Sequence, residues 1–531
     1  MPNRELTMNT TRLAHLAAGF ALAIGTAACN SDLTNLNVDP NNPTAAPPGA
    51  LFTSAVDQSV GRWLGGFDHG QTEILIQHFA ETTYPQEDEY INFTADRTEG
   101  SFNNAYAVEL EDLRKVAAKG NELNRPGLFG PAMVLQTWGF DFLTDSWGDV
   151  PYSQALQGDT ASGSLAPAYD KQQDIYAGFF SKLDSAVSAM ANDPVGDPGL
   201  GNADPIYGGN LQNWMRFANS LRARLALRLV NVDPTTASAQ LAAAFSAPGG
   251  TFTSNDDAAK LVWPGDGVRD NPLADRFQTR DDYRMAKSLM DSLVAWNDPR
   301  VAVYAQPVVD SSVYPGGYGG MPNGLSQDSA GKWFRIASRP GLIFYPGVTS
   351  YGTFGTAAGL SDPSYLMTYA ELMFIRAEAA QRGLGGLSAG EAAGDYDSAI
   401  TASMNQWGIT DPVVINAYLA QPAIAYKGGT AGLVQIAQQK WIALFRDGAQ
   451  AWAEWRRTCQ PSWIKAGPAA VLNYVPRRFL YSIAEQSVNA DNVNAAIADQ
   501  GPDAFDTHVY WDKQPQNAPT YVSASVCAGT P

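Results

Sequence analysis

The chain is poor in the residues that usually carry out chemistry. Its 531 residues include three cysteines and four histidines, too few for a disulfide scaffold or a Cys/His metal framework. The histidines (His15, His69, His78, His508) are scattered. His69 and His78 would fall on opposite faces of a continuous helix, and Gly70 argues against such a helix. No HExxH, phosphate-loop or GxSxG string occurs. Basic residues are scarce too: 35 Lys and Arg stand against 53 Asp and Glu, a net charge of −18. That balance excludes nucleic acid, whose binding rests on cations neutralising phosphates, and a charge-driven hold on anionic lipid. A neutral ligand suits it best.

Long apolar runs are missing as well. The run from Leu13 to Ile24 follows the basic start MNTTR at Met8 and is too short for a permanent bilayer span. With small residues ahead of Cys29 it reads as an export signal over 1–28. A lone cysteine in that place suggests lipoprotein processing, with Cys29 becoming the acylated first residue. Thr26 occupies the position usually held by leucine, so ordinary signal-peptidase cleavage near Ala28 is the alternative. Residues 29–49 then form an extended tether, since Pro40, Pro43, Pro47 and Pro48 forbid regular helix. Residues 50–531 read as a single domain. Outside the cytoplasm Cys459 and Cys527 either pair or stay as two thiols.

What is abundant is hydrophobic (45%) and aromatic (11%) residues, arranged mostly with helical period. The fold class is mainly α. Helices are expected over Leu51–Trp63, Gln71–Phe79, Phe102–Ala117, Ala132–Trp147, Asp170–Ala191, Tyr207–Val230, Asp281–Asn297 and Leu366–Gln381. Asp170 is the expected cap of the fifth, whose stripe is Ile175, Phe179, Leu183 and Val187. In the sixth, Leu221, Leu225 and Leu229 form a buried face beside a solvated or ion-paired face of Arg224 and Arg228. Trp138, Trp214, Trp441, Trp452 and Trp455 sit on patterned stretches and are expected in the core. The pairs Arg456/Arg457 and Arg477/Arg478 would tie the 441–455 helix to the segment after it, with Glu454 as local counter-charge. Between Thr251 and Pro363, Gly, Pro, Ser, Asp and aromatics replace helical periodicity. A loop region that long is usually functional.

Eight strings in collinear order resemble one family: LNVDPNNPT, FNNAYAVELEDL, FLTDSWGDVPYSQALQG, YDKQQDIYAGFFSKLDSA, IYGGNLQNWMRFANSLRARLALRLVNVDP, NDPR, PSYLMTYAELMFIRAEAA and the C-terminal KWIALF…AWAEWRRT…PRRFLYSIAEQSVNADN. The chain is similar to the SusD/RagB nutrient-binding outer-membrane lipoproteins, in the SusD-like branch that opens with LNVDPNNPT. The resemblance implies a SusD-like helical fold with tetratricopeptide-like helix hairpins and a long loop-rich ligand-facing region. It implies a lipid-anchored, cell-surface protein of the outer membrane that captures oligosaccharide, or in some members peptide. It also implies a SusC-type TonB-dependent transporter as partner, which receives the ligand.

Sugar capture needs flat rings to stack on sugar faces, with amides and carboxylates for hydroxyls, held on loops. The candidates are Tyr84, Tyr90 and Asn92 in the first aromatic loop. Trp263, Asp270, Asn271, Tyr318, Asn323, Trp333, Tyr345 and Tyr351 are those of the long region. No cofactor, metal or catalytic residue is expected. Two other readings are a secreted helical glycoside hydrolase, which needs a carboxyl pair such as one from Glu87, Asp88 and Glu89, and a protein-only scaffold.

Overall fold

The computed structural model describes residues 46–160, 163–193, 196–344 and 359–512. Cys29, Tyr345, Tyr351, Cys527, the signal segment and nearly all of the tether lie outside them. The architecture is mainly α, as expected. The long helices are α1 (Pro48–Gly61), α2 (Ala95–Asn104), α3 (Glu111–Glu122), α4 (Pro126–Trp147), α5 (Gln172–Ala191), α6 (Leu211–Arg228), α7 (Pro234–Ser246), α8 (Lys287–Ala295), α9 (Tyr369–Arg382), α10 (Ala392–Gln406), α11 (Gly429–Ala443), α12 (Gly448–Thr458) and α13 (Ala490–Gln500). Consecutive helices pack as pairs, α3 on α4, α4 on α5, α6 on α7 and α9 on α10.

Local chemistry sets the ends of these helices. Asn210 caps α6 by accepting from Asn213 N at 3.2 Å. Asp233 caps α7 from Thr236 N at 3.0 Å, with Pro234 in the first turn. Gly383, in the left-handed region at φ 67°, closes α9. Helix α6 runs through the core: Trp214, Leu221 and Leu225 are fully buried, and its basic face is buried and ion-paired rather than solvated. Arg224 holds Glu371 through two bonds of 2.7 and 2.5 Å, and Arg228 reaches Glu454 at 2.6 Å. All five patterned tryptophans are buried, each contributing roughly 2–3 kcal/mol by area.

The sequence reading and the structure differ in five places. The stretch Trp441–Trp455 is two helices, because Arg446 turns left-handed (φ 73°) and Asp447 starts α12 by accepting from Gln450 N at 3.3 Å. Asp170 does not cap α5. It pairs in a short antiparallel strand with Val150 and takes bonds from Tyr152 N and Ser153 N; the donor at Gln172 N goes instead to Asp149 at 2.8 Å. The expected helix Gln71–Phe79 ends at Leu75 and becomes strand β1 (Phe79–Glu81) after Gln77 turns left-handed. The expected helices from Asp281 and Leu366 each begin as strand, Tyr283–Met285 and Ser364–Met367, before α8 and α9 start.

The first of those strands matters for function. Tyr283–Met285 pairs antiparallel with β1 in the register Phe79↔Met285, so the long region is pinned to the start of the chain. Ala80, Ala286, Met321, Ala330 and Ala337 make a small separate core there. The principal core takes residues from Phe52 to Trp511.

Candidate functional site

Where the pinned long region meets the C-terminal segment, an open cleft of about 500 Å³ lies between α8, the turn at Gln77, the Pro322–Asn323 loop and the Trp463–Gly467 loop. Trp296, at the end of α8, and Trp463 meet at 6.3 Å between ring centroids and an interplanar angle of 70°. They form a corner rather than a flat platform. Trp463 also meets the buried Trp441 edge to face at 6.4 Å, yet it is 36% exposed. Its ring is braced from behind and open in front.

The polar side of the cleft is built by hydrogen bonds between loops. Gln77 donates from Nε2 to Lys465 O and accepts from Ser288 Oγ, both at 2.5 Å. It does so from a left-handed backbone at φ 59°, a conformation that non-glycine residues keep mainly where surroundings hold them. Asn323 donates from Nδ2 to Phe79 O and to Asp88 Oδ1, each at 2.7 Å, and its Oδ1 has no partner among the described residues. Asp88 is buried and also accepts from Glu81 N at 2.7 Å. Burial pushes its carboxyl up to about 7, against the pull of those two donors. The backbones of two loops cross at Gly324 and Gly467; a Cβ on Gly467 would sit 2.1 Å from Asn323 O. Only glycine lets them approach so closely. Lys287, ion-paired with Asp291 on the next turn of α8, and Lys465 complete the lining.

The residues expected at the site are distributed unevenly. Asn323 lines the cleft. Tyr84 is 60% exposed on the surface, its backbone N–H donating to Gln327 Oε1 at 3.2 Å. Asn92 is half-buried and donates to Glu87 within its own loop. Tyr90 is buried against Phe93. Trp263 is buried, donating from Nε1 to Ser364 Oγ at 2.9 Å. Asn271 is buried as the cap of the short helix Pro272–Thr279, accepting from Leu273 N and Ala274 N. Asp270 accepts from Gly267 N in a turn. Tyr318 packs on the principal core, and Trp333 lies over the small alanine-rich core with its ring 6.3 Å from Tyr314. Tyr90, Trp263 and Asn271 are thus committed to packing or capping, because a loop that is pinned buries its rings as a helix does. Cys459 is buried at the left-handed end of α12.

Sequence reasoning missed Gln77, Lys287, Ser288, Asp291, Trp296, Trp463 and Lys465. A signal existed for one of them. Trp463 lies between Pro461 and Gly467, off the helical stripe that buries Trp441, Trp452 and Trp455. A larger groove of about 760 Å³ is lined by hydroxyls, amides and one ring, Tyr369; the paired rings single out the smaller cleft. Among the described residues no group of three or more His, Cys, Asp or Glu side chains is placed to hold a metal. No described helix is long and apolar enough to cross a membrane.

No curated protein matches this chain. Among solved structures, a chitin-binding protein is 27% identical with a TM-score of 0.74, covering 88% of this chain and 100% of its own. A chitin-binding SusD homologue from Flavobacterium johnsoniae is 24% identical, with TM-score 0.71 and 88% and 98% covered. A SusD homologue from Bacteroides uniformis is 25% identical, with TM-score 0.71 and 87% and 99% covered. The SusD-like family profile, described as starch-binding and associating with the outer membrane, matches residues 40–482, and the chain belongs to that family.

Proposed function

We propose that this protein is a carbohydrate-binding lipoprotein that captures an oligosaccharide without chemical turnover and delivers it to a SusC-type TonB-dependent outer-membrane transporter. The mature chain begins at an acylated Cys29, and the tether to residue 49 holds a single domain, 50–531, at the cell surface. Cys459 pairs with Cys527. The observation that carries the reading is the Trp296–Trp463 corner, with Gln77, Ser288, Asn323 and Lys465 around it. One ring face and one ring edge clasp a sugar ring, while amide and hydroxyl groups at fixed positions meet its hydroxyls. The chitin-binding relatives support the ligand class.

The test is calorimetric titration of the chain from residue 30 onward with a panel of oligosaccharides and peptides, assaying product release in parallel. Saturable binding that disappears in Trp463→Ala, with no product formed, is the expected result. Product release abolished by a single Asp or Glu change would make the protein a glycoside hydrolase instead. Tight transporter association with no small-ligand binding would make it a scaffold.

A further inference from the structure

The charges in the cleft run against those of the whole chain. The protein carries −18 overall and only 11 lysines in 531 residues, yet two of those lysines line this one cleft. The charged lining residues are Lys287, Lys465 and Asp291. Lys287 and Asp291 neutralise each other one helical turn apart. Lys465 is exposed beside Trp463, and its backbone carbonyl, not its ammonium, takes the Gln77 bond. Asp88, bonded to the lining residue Asn323, is buried and also takes Glu81 N. Among the described residues Lys465 has no ion pair, so the cleft carries a lysine without a counter-ion next to an exposed ring, in a protein of strongly negative net charge.

A neutral polysaccharide needs no such group. An aromatic corner beside an unpaired ammonium fits a sugar ring that carries its own carboxylate. The ring stacks on indole, and the carboxylate meets Nζ in a charge-assisted hydrogen bond, stronger than one between neutral partners. The 70° corner adds a shape condition. A flat ribbon of sugars can lie on only one of the two rings, so the corner encloses a single unit of a bent chain or of a chain end.

We infer that the Trp296–Trp463 cleft selects an acidic oligosaccharide, seating one uronic acid unit in the corner with its carboxylate on Lys465. This rests on the reading of the cleft as the sugar site. It also parts this chain from its chitin-binding relatives, whose ligand is uncharged.

Oligomers of galacturonate, mannuronate and glucuronate, each paired with its own neutral methyl ester, test it on the full mature chain. Chito-oligosaccharide serves as the uncharged reference. At low salt one acid is expected to bind about tenfold more tightly than its ester, the gap closing as salt rises. Lys465→Met keeps the aliphatic stem and is expected to bring acid and ester within about threefold, while Trp463→Ala removes both. Equal binding of acid and ester, or an acid preference that survives Lys465→Met, overturns the inference. Chito-oligosaccharide binding that depends on Trp463, with every uronate silent, overturns the acidic ligand and leaves sugar capture standing. Binding of any sugar that is indifferent to both Trp296→Ala and Trp463→Ala overturns the site itself.

Discussion

Two groups of tryptophans do opposite work in this molecule. Around α12 the rings are closed in. Trp452 donates to Pro476 O at 2.8 Å and carries the Arg456 guanidinium 3.6 Å above its ring. Trp441 donates to Ile76 O. Arg456 and Arg477 each donate to the other's carbonyl, at 2.8 and 3.1 Å, joining the helix to the segment after it. At the cleft, Trp463 has a packed back and an open front, and its loop is held by backbone crossings rather than by ion pairs. Residue type is the same in both regions. What differs is whether the surrounding groups satisfy one another or leave surface for something else.

The sharpest way to break that contrast is to remove a cation from the closed region. Arg457 donates to both oxygens of Glu378, at 2.7 and 2.6 Å, and to Glu454 at 2.6 Å, all buried. Arg457→Ala takes the shared cation from two buried carboxylates, leaving Glu378 to Arg382 and Glu454 to Arg228 and Lys440, and is expected to cost about 3 kcal/mol, read by denaturant unfolding. Burial alone would raise Glu378; Arg457 and Arg382 together outweigh it and hold the carboxyl down to about 2. Trp463→Ala should do the reverse. It is expected to lose at least about 2 kcal/mol of ligand binding, as buried aromatic anchors do, while unfolding free energy changes by about 1 kcal/mol. A large stability loss with binding intact would turn Trp463 into one more core ring.

The closed region was largely legible in the sequence because its signals are local and periodic. Leu221, Leu225 and Leu229 on one stripe and the spacing of Trp441, Trp452 and Trp455 announce burial before any coordinate is known. Even so, the break at Arg446–Asp447 was hidden, since the stripe continues in phase across it. The cleft was far less legible. Gln77, Ser288, Asn323 and Trp463 come from four distant segments, and only the pairing of β1 with Tyr283–Met285 and the glycine crossing at 324 and 467 brings them together. Aromatic content pointed to ring stacking, but none of the described rings it named lines the Trp296–Trp463 cleft. Trp263 and Tyr90 lie in aperiodic sequence and are buried all the same, because nonlocal hydrogen bonds pin their loops.

Beneath the cleft, His78 and Glu73 offer a test that uses pH. His78 Nε2 faces the Trp441 carbonyl at 3.1 Å, which can only accept, and Nδ1 faces Glu73 Oε2 at 2.8 Å. Burial raises Glu73 to about 8 and lowers His78 to about 3, so the folded pair holds one proton, on the carboxyl, and donates it to Nδ1. Unfolded, the two hold two protons below about pH 4.5, one between about 4.5 and 6.5, and none above. Stability from this pair is therefore flat between about pH 4.5 and 6.5. It falls as pH rises from about 6.5 towards 8, where the folded Glu73 must release its proton, and falls again below about 4.5, where His78 resists a second one. The slope on either limb is at most about 1.4 kcal/mol per pH unit. Glu73→Gln should remove the alkaline limb and keep the acid one; an unchanged alkaline limb would assign it to another carboxyl that burial raises, such as Asp141 at about 8 or Asp88 at about 7.

The smallest expected effect is the one that best separates the two regions. Trp263 is a ring from the long aromatic region, a place that suggests ligand contact, but its setting is that of the closed group: 6% exposed, with its indole N–H on Ser364 Oγ. Trp263→Phe keeps most of the apolar area and deletes the donor. It should cost about 1 kcal/mol of stability, the worth of one buried hydrogen bond, and leave sugar affinity where it was. Because Ser364 opens strand Ser364–Met367, which pairs with Ala259–Leu261, the loss should appear as local opening of that strand pair in hydrogen exchange. A drop in affinity with the strands still protected would mean that the ligand reaches well past the Trp296–Trp463 corner, and that burial alone does not tell the two kinds of tryptophan apart.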